Sequence, residues 1–115
     1  MPGCVLRMSA SEFPLPSDLL TTRTRNGGFL CKVSDADGDA FKTQVADAQS
    51  FLSQHAAALA AAAALPGFDA ELDFGVWNGA PEVVAQSFTF PRSLLALATS
   101  CGVALTVSVY LGTDS

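Results

Sequence analysis

Hydrophobic and polar residues alternate along residues 68–77. Phe68, Ala70, Leu72, Phe74 and Val76 fall on one side; Asp69, Glu71 and Asp73 fall on the other. Period-two spacing predicts a half-buried β-strand with an acidic outer face. Residues 103–111 alternate the same way, with Val103, Leu105, Val107, Val109 and Leu111 against Ala104, Thr106, Ser108 and Tyr110. Between the two runs Leu94, Leu97, Ala98 and Cys101 make a helical stripe, with Pro91 in its first turn and Gly102 at its end.

The first half of the chain has a similar grammar. Cys4, Leu6 and Met8 alternate with Val5, Arg7 and Ser9, which predicts a first strand over residues 4–10. Residues 11–28 read as irregular. Pro14 and Pro16 disfavour a regular element, residues 18–22 have room for one helical turn, and Asn26-Gly27-Gly28 is a turn signal. Phe29, Cys31 and Val33 then mark the core side of a strand over 29–34. The acidic run 35–39 predicts a helix cap from Asp37 or Asp39. The stripe that follows, Phe41, Val45, Ala48, Leu52, His55 or Ala56, and Leu59, is spaced by three and four, and Pro66-Gly67 stops it. One unbroken helix over 40–65 would be about 39 Å long. That exceeds what the domain needs, so its Ala-rich end is expected to project, curve or meet a second subunit. Asn78 to Pro81 is a turn, and 83–90 is a further strand or an extended arm leading into the last helix.

Composition narrows the class. The 115 residues are 50% hydrophobic and 15% charged, which predicts one folded domain over 1–115. The formal net charge is −5, and basic residues cluster only at Arg23 and Arg25. Nucleic-acid binding is not expected, because phosphate contacts need cationic side chains. The longest apolar run, 56–65, falls short of the roughly 18 residues that suggest a membrane span, so no membrane association is expected. With no signal-peptide pattern and an odd cysteine count (Cys4, Cys31, Cys101), the expected location is the cytoplasm with reduced thiols. Each cysteine falls on the apolar side of its element and reads as a core residue.

Candidate chemistry is sparse. The run Asp35-Ala36-Asp37-Gly38-Asp39 resembles the start of a calcium loop, but Ala40 and Ala46 occupy the required Gly and Glu positions. His55 has no metal-ligating neighbour three or four residues away, so no metal and no cofactor are expected. Asp69, Glu71 and Asp73 share a strand face. They are either a solvated face, ion-paired to Arg7 or Lys32, or carboxylates that tune one another as acid and base. Trp77 and Tyr110 have outward parity. They are either contact residues or rings packed beneath 11–28. No phosphate loop, nucleophile elbow or dinucleotide fingerprint is present.

Four stretches carry a resemblance: residues 44–55 (QVADAQSFLSQH), Leu72-Asp73-Phe74-Gly75-Val76, residues 90–97 (FPRSLLAL) and Val107-Ser108-Val109-Tyr110. Together they are similar to a group of small bacterial proteins of unknown function, itself distantly similar to immunity-type proteins of toxin systems. The resemblance spans 29–111 and implies action by binding; it supplies no catalytic residue.

The expected architecture is an α+β, two-layer, ferredoxin-like sandwich: four or five mostly antiparallel strands with two helices on one face. The first functional expectation is a non-catalytic protein-binding module, immunity-like or regulatory. It would use a face bearing Asp69, Glu71, Asp73, Trp77 and Tyr110 to bind a protein partner or a second copy. The alternative is a small anionic ligand held by Arg23, Arg25 and His55. An enzyme with a pocket near His55 ranks third. The expected core is Phe41, Val45, Leu52, Leu72, Phe74, Leu94, Leu97, Leu105 and Val107.

Overall fold

The computed structural model describes residues 3–9, 22–23, 29–77 and 87–110. Its strands are β1 (Cys4–Ser9), β2 (Thr22–Arg23), β3 (Phe29–Ser34), β4 (Asp69–Trp77) and β5 (Ala104–Tyr110). Its helices are α1 (Phe41–Gln54), α2 (Ala56–Ala63) and α3 (Arg92–Cys101). The sheet order is β2-β3-β1-β4-β5. All neighbours are antiparallel except β4 and β5, which run parallel with α3 as their crossover.

The α+β class and the mostly antiparallel sheet agree with the sequence pattern. The finer expectations differ. The described order is β-β-β-α-α-β-α-β, whereas a ferredoxin-like chain runs β-α-β-β-α-β. Three helices replace the expected two because the long helix bends at His55, whose φ of −112° and ψ of 18° leave the helical range. The bend keeps the i→i−4 bonds from His55 N to Phe51 O and from Leu59 N to His55 O, both 3.0 Å. The Ala-rich half therefore curves back over α3 instead of projecting. Small side chains allow a close approach there: a Cβ added to Gly102 would lie 2.5 Å from the Ala63 Cβ. Gly102 has φ 73°, the left-handed conformation that ends α3. The two-residue β2 lies in the stretch whose sequence reads as irregular.

The core follows the alternation. Cys4, Leu6 and Met8 of β1, and Ala70, Leu72, Phe74 and Val76 of β4, point to the helices and are buried. Val45, Ala48, Leu52, Leu59, Leu94, Ala98 and Cys101 meet them from the helical layer. Full burial of a leucine such as Leu72 stabilises by about 1.5–3 kcal/mol. Phe41, Leu97 and Leu105 are only partly buried against this core. Val107 is half-buried because β5 lies at the sheet edge. Residues 87–90 belong to no strand or helix, so the described part of 83–90 is an arm leading into α3. Phe88 and Phe90 of that arm close on Phe41 with ring centroids at 5.2 and 5.5 Å. All three thiols are free and buried.

A register shift between Cys4 and Val5 leaves Val33 as an extra residue in β3. It turns Ser34 to the helical side, where its Oγ donates to Asp47 Oδ2 of α1 at 2.6 Å. The acidic run that follows is a clamp, not a cap: α1 has no side-chain cap at Ala40. Gln44 is fully buried, and the two hydrogens of its Nε2 are shared among the carbonyls of Ala36 (3.1 Å), Asp37 (3.1 Å) and Gly75 (2.9 Å), one of them in a bifurcated bond. One amide thus ties the 35–40 loop to β4.

Candidate functional site

The three helices leave the other face of the sheet without a helical cover among the described residues. Val5 and Arg7 of β1, Lys32 of β3, Asp69, Glu71, Asp73, Gly75 and Trp77 of β4, and Ala104, Thr106, Ser108 and Tyr110 of β5 share that face by register. The side chains of Arg7 and Lys32 are 48% and 71% exposed. Tyr110 is 45% exposed. The face is open.

Asp73 sits at its centre and is only 5% exposed. β1 places Arg7 opposite Glu71, so the guanidinium reaches diagonally and Arg7 Nη1 donates to Asp73 Oδ2. On the other flank Ser108, which faces the side-chain-less Gly75, donates from Oγ to Asp73 Oδ1 at 2.6 Å. One strand pair along, Thr106 Oγ1 donates to Glu71 Oε2 at 3.3 Å. The hydrogen bond to Asp73 holds Arg7 above its ordinary pKa, against the lowering effect of burial. Of the two sequence readings of Asp69, Glu71 and Asp73, the geometry is that of ion pairing across the sheet: Asp73 is matched by Arg7, Glu71 is half-buried and bonded, and Asp69 alone of the three is exposed. With Lys32 on the same face, paired to Asp35 at 2.9 Å, the surface is mixed in charge rather than uniformly acidic.

Trp77 and Tyr110 are register partners, with ring centroids 6.3 Å apart and an interplanar angle of 66°. Their surroundings differ. The Trp77 indole N–H donates to Asp37 Oδ1 at 3.1 Å, and its backbone N–H donates to Gly38 O at 3.2 Å. Gly38 approaches so closely that an added Cβ would lie 2.7 Å from Trp77 Cδ1. Trp77 is therefore half-covered by the 35–40 loop, while Tyr110 presents its ring outward. Any packing against 11–28 lies outside the described residues, apart from the backbone of β2.

Of the alternative trio, only His55 has a described side chain. Arg23 contributes backbone to β2, and Arg25 lies outside the described residues. His55 belongs to the helical layer, its ring 4.6 Å from that of Phe51. A shallow groove nearby on α1, lined by Ala46, Gln49, Ser50, Ser53 and Gln54, offers no titratable side chain. The Ser108 hydroxyl is bonded to a carboxylate that Arg7 already occupies, so it lacks the free base that activates a nucleophile. No group of three or more His, Cys, Asp or Glu among the described residues is placed to hold a metal. No described helix is long and apolar enough to cross a membrane.

Sequence parity placed Asp69, Glu71, Asp73, Trp77 and Tyr110 on one face. It offered Arg7 as one of two ion-pair partners for these carboxylates but did not single out Thr106 and Ser108, although the same alternation puts both there. No protein-family model, curated protein or solved structure matches the chain.

Proposed function

We propose that this chain acts as a non-catalytic protein-binding module whose contact surface is the open sheet face around Tyr110. One observation carries the proposal. The polar groups at the centre of the face are already fixed by cross-strand bonds, Asp73 by Arg7 and Ser108 and Glu71 by Thr106, while the adjoining Tyr110 ring stays 45% exposed. A pre-ordered polar patch beside an exposed aromatic binds with little further loss of side-chain freedom. Tyrosine is among the residues that most often dominate binding energy. The net charge of −5 favours a basic partner through long-range steering, and the mixed local charges set orientation. Within that proposal the narrower role, immunity-like or regulatory, rests on the sequence resemblance alone.

The test is a pull-down from the source organism with partners identified by mass spectrometry. Glu71→Lys combined with Tyr110→Ala is expected to lose a partner that the wild type and Leu95→Ala both retain, while keeping the wild-type circular dichroism. Leu95 is an exposed residue of the helical layer and serves as the control. Equal capture by the double variant overturns the proposal.

A further inference from the structure

β5 ends the sheet, and among the described residues it is hydrogen-bonded on one edge only, to β4. An edge strand offers unpaired N–H and C=O groups, and proteins usually guard such an edge with lysine, proline, a bulge or very short length. The opposite edge fits that rule, since β2 has two residues. β5 does not: its seven residues, Ala-Leu-Thr-Val-Ser-Val-Tyr, contain no charge and no proline, and they pair with β4 without a register shift. Val109 and Tyr110, on opposite faces of its end, are 52% and 45% exposed.

We infer that β5 is a self-pairing edge, and that its occupant is β5 of a second copy, antiparallel about a two-fold axis at Val107. Three features select a second copy. First, a chain of net charge −5 repels itself, and β5 is a strand without charge. Second, the nearest carboxylates, Glu71 and Asp73, lie one strand inward and are held by Thr106, Ser108 and Arg7. Third, the sequence of β5 is complementary to its own reverse. Residues directly opposite in a sheet share a face, so full overlap of seven residues places Val107 on the axis. It then sets Leu105 against Val109, Thr106 against Ser108, and Ala104 against Tyr110. On the helical side each exposed Val109 gains an apolar neighbour. On the open face hydroxyl meets hydroxyl, and the large Tyr110 ring meets the smallest side chain of the strand. The result is an isologous dimer with one continuous sheet.

This edge borders the protein-contact face and shares Tyr110 with it, so its test uses Val109, a residue on the helical side. Sedimentation of the purified chain across a concentration series is expected to show a species of about 24 kDa, twice the 11.9 kDa chain. Val109→Lys, which adds the charge that guarded edges carry, is expected to give only the monomer while keeping the wild-type circular dichroism. Amide exchange supplies the second measurement. Alternate β5 amides, those not bonded to β4, gain protection as wild-type concentration rises and stay unprotected in Val109→Lys. A wild type that stays monomeric at its solubility limit overturns the inference. So does a dimer that Val109→Lys leaves intact, or one whose β5 amides exchange as freely as in the monomer.

Discussion

Removing the Gln44 amide isolates what holds the 35–40 loop. In Gln44→Leu the volume is nearly kept, but three carbonyls lose their donor. Gly75 is buried, so its carbonyl is left without water or partner, at about 1–3 kcal/mol. Ala36 is partly exposed and Asp37 exposed, so water replaces the donor there at little cost. Against this, Gln44 Oε1 is itself buried without a partner, and leucine removes that liability. The net expectation is a loss of about 1–3 kcal/mol, read as a lower urea midpoint and a Tm lower by roughly 4 °C or more per kcal/mol. Gln44→Glu should do worse at neutral pH, since a carboxylate would face three carbonyl oxygens. Burial and those oxygens raise the folded-state pKa of the introduced carboxyl above the usual value of about 4.3. Its extra penalty is therefore absent below the unfolded pKa, grows as pH rises through it, and is complete above the folded pKa. The stability gap to wild type should widen between about pH 4 and pH 7. Trp77 is the sole tryptophan and packs against the loop, so its fluorescence reports the local release directly. A Gln44→Leu protein as stable as wild type, or a Gln44→Glu gap independent of pH, would refute the three-carbonyl clamp.

Leu72→Ala should cost about 2–5 kcal/mol by denaturant titration, and Leu95→Ala, 45% exposed, should stay within about 0.5 kcal/mol of wild type. Arg7→Met should leave the buried Asp73 carboxylate without its cation and destabilise by about 1–3 kcal/mol, most of it recovered by adding Asp73→Asn; a double variant no better than the single one contradicts the pairing. The native thiols should resist a disulfide reagent at neutral pH, with three titrating in denaturant, because Cys4, Cys31 and Cys101 are buried. Burial, with smaller help from Asp73 and Asp47, pushes the Cys4 thiol up to about 12. The folded state thus keeps its proton where the unfolded chain loses it. Stability should fall as pH rises above about 8.5 and keep falling toward the folded value, and Cys4→Ala should flatten that slope.

Strand parity was the most legible part of the fold. Alternation in residues 4–9, 29–32, 69–77 and 104–110 assigned faces that the registers bear out, because a face packed on helices and one that is not impose period two; the bulge at Val33 turns Ser34 against it. The bend at His55 was not legible, since alanine is an excellent helix former and nothing in the pattern marks a break; beyond it α2 packs against α3. Asp37 read as a cap because an acidic residue before a helix usually is one, yet Trp77 takes its carboxylate from forty residues away. The same limit hid the centre of the candidate face. Parity shows that Arg7 and Asp73 share a side, but only strand order shows that β1 lies next to β4.

The position of β1 also bears on how the chain acquires its structure during synthesis. β1 is made before the other described strands, yet it lies between β3 and β4, and Leu6 faces Cys31 on one side and Leu72 on the other. β3 is available to one edge after some twenty residues; the other edge waits for β4, more than sixty residues on. At about 5–20 residues per second, β1 spends seconds on the ribosome with an open edge. Its apolar face stays uncovered until α1 follows. Slow translation between Ser34 and Asp69 should then favour aggregation, and faster passage through the same codons should favour recovery of folded protein.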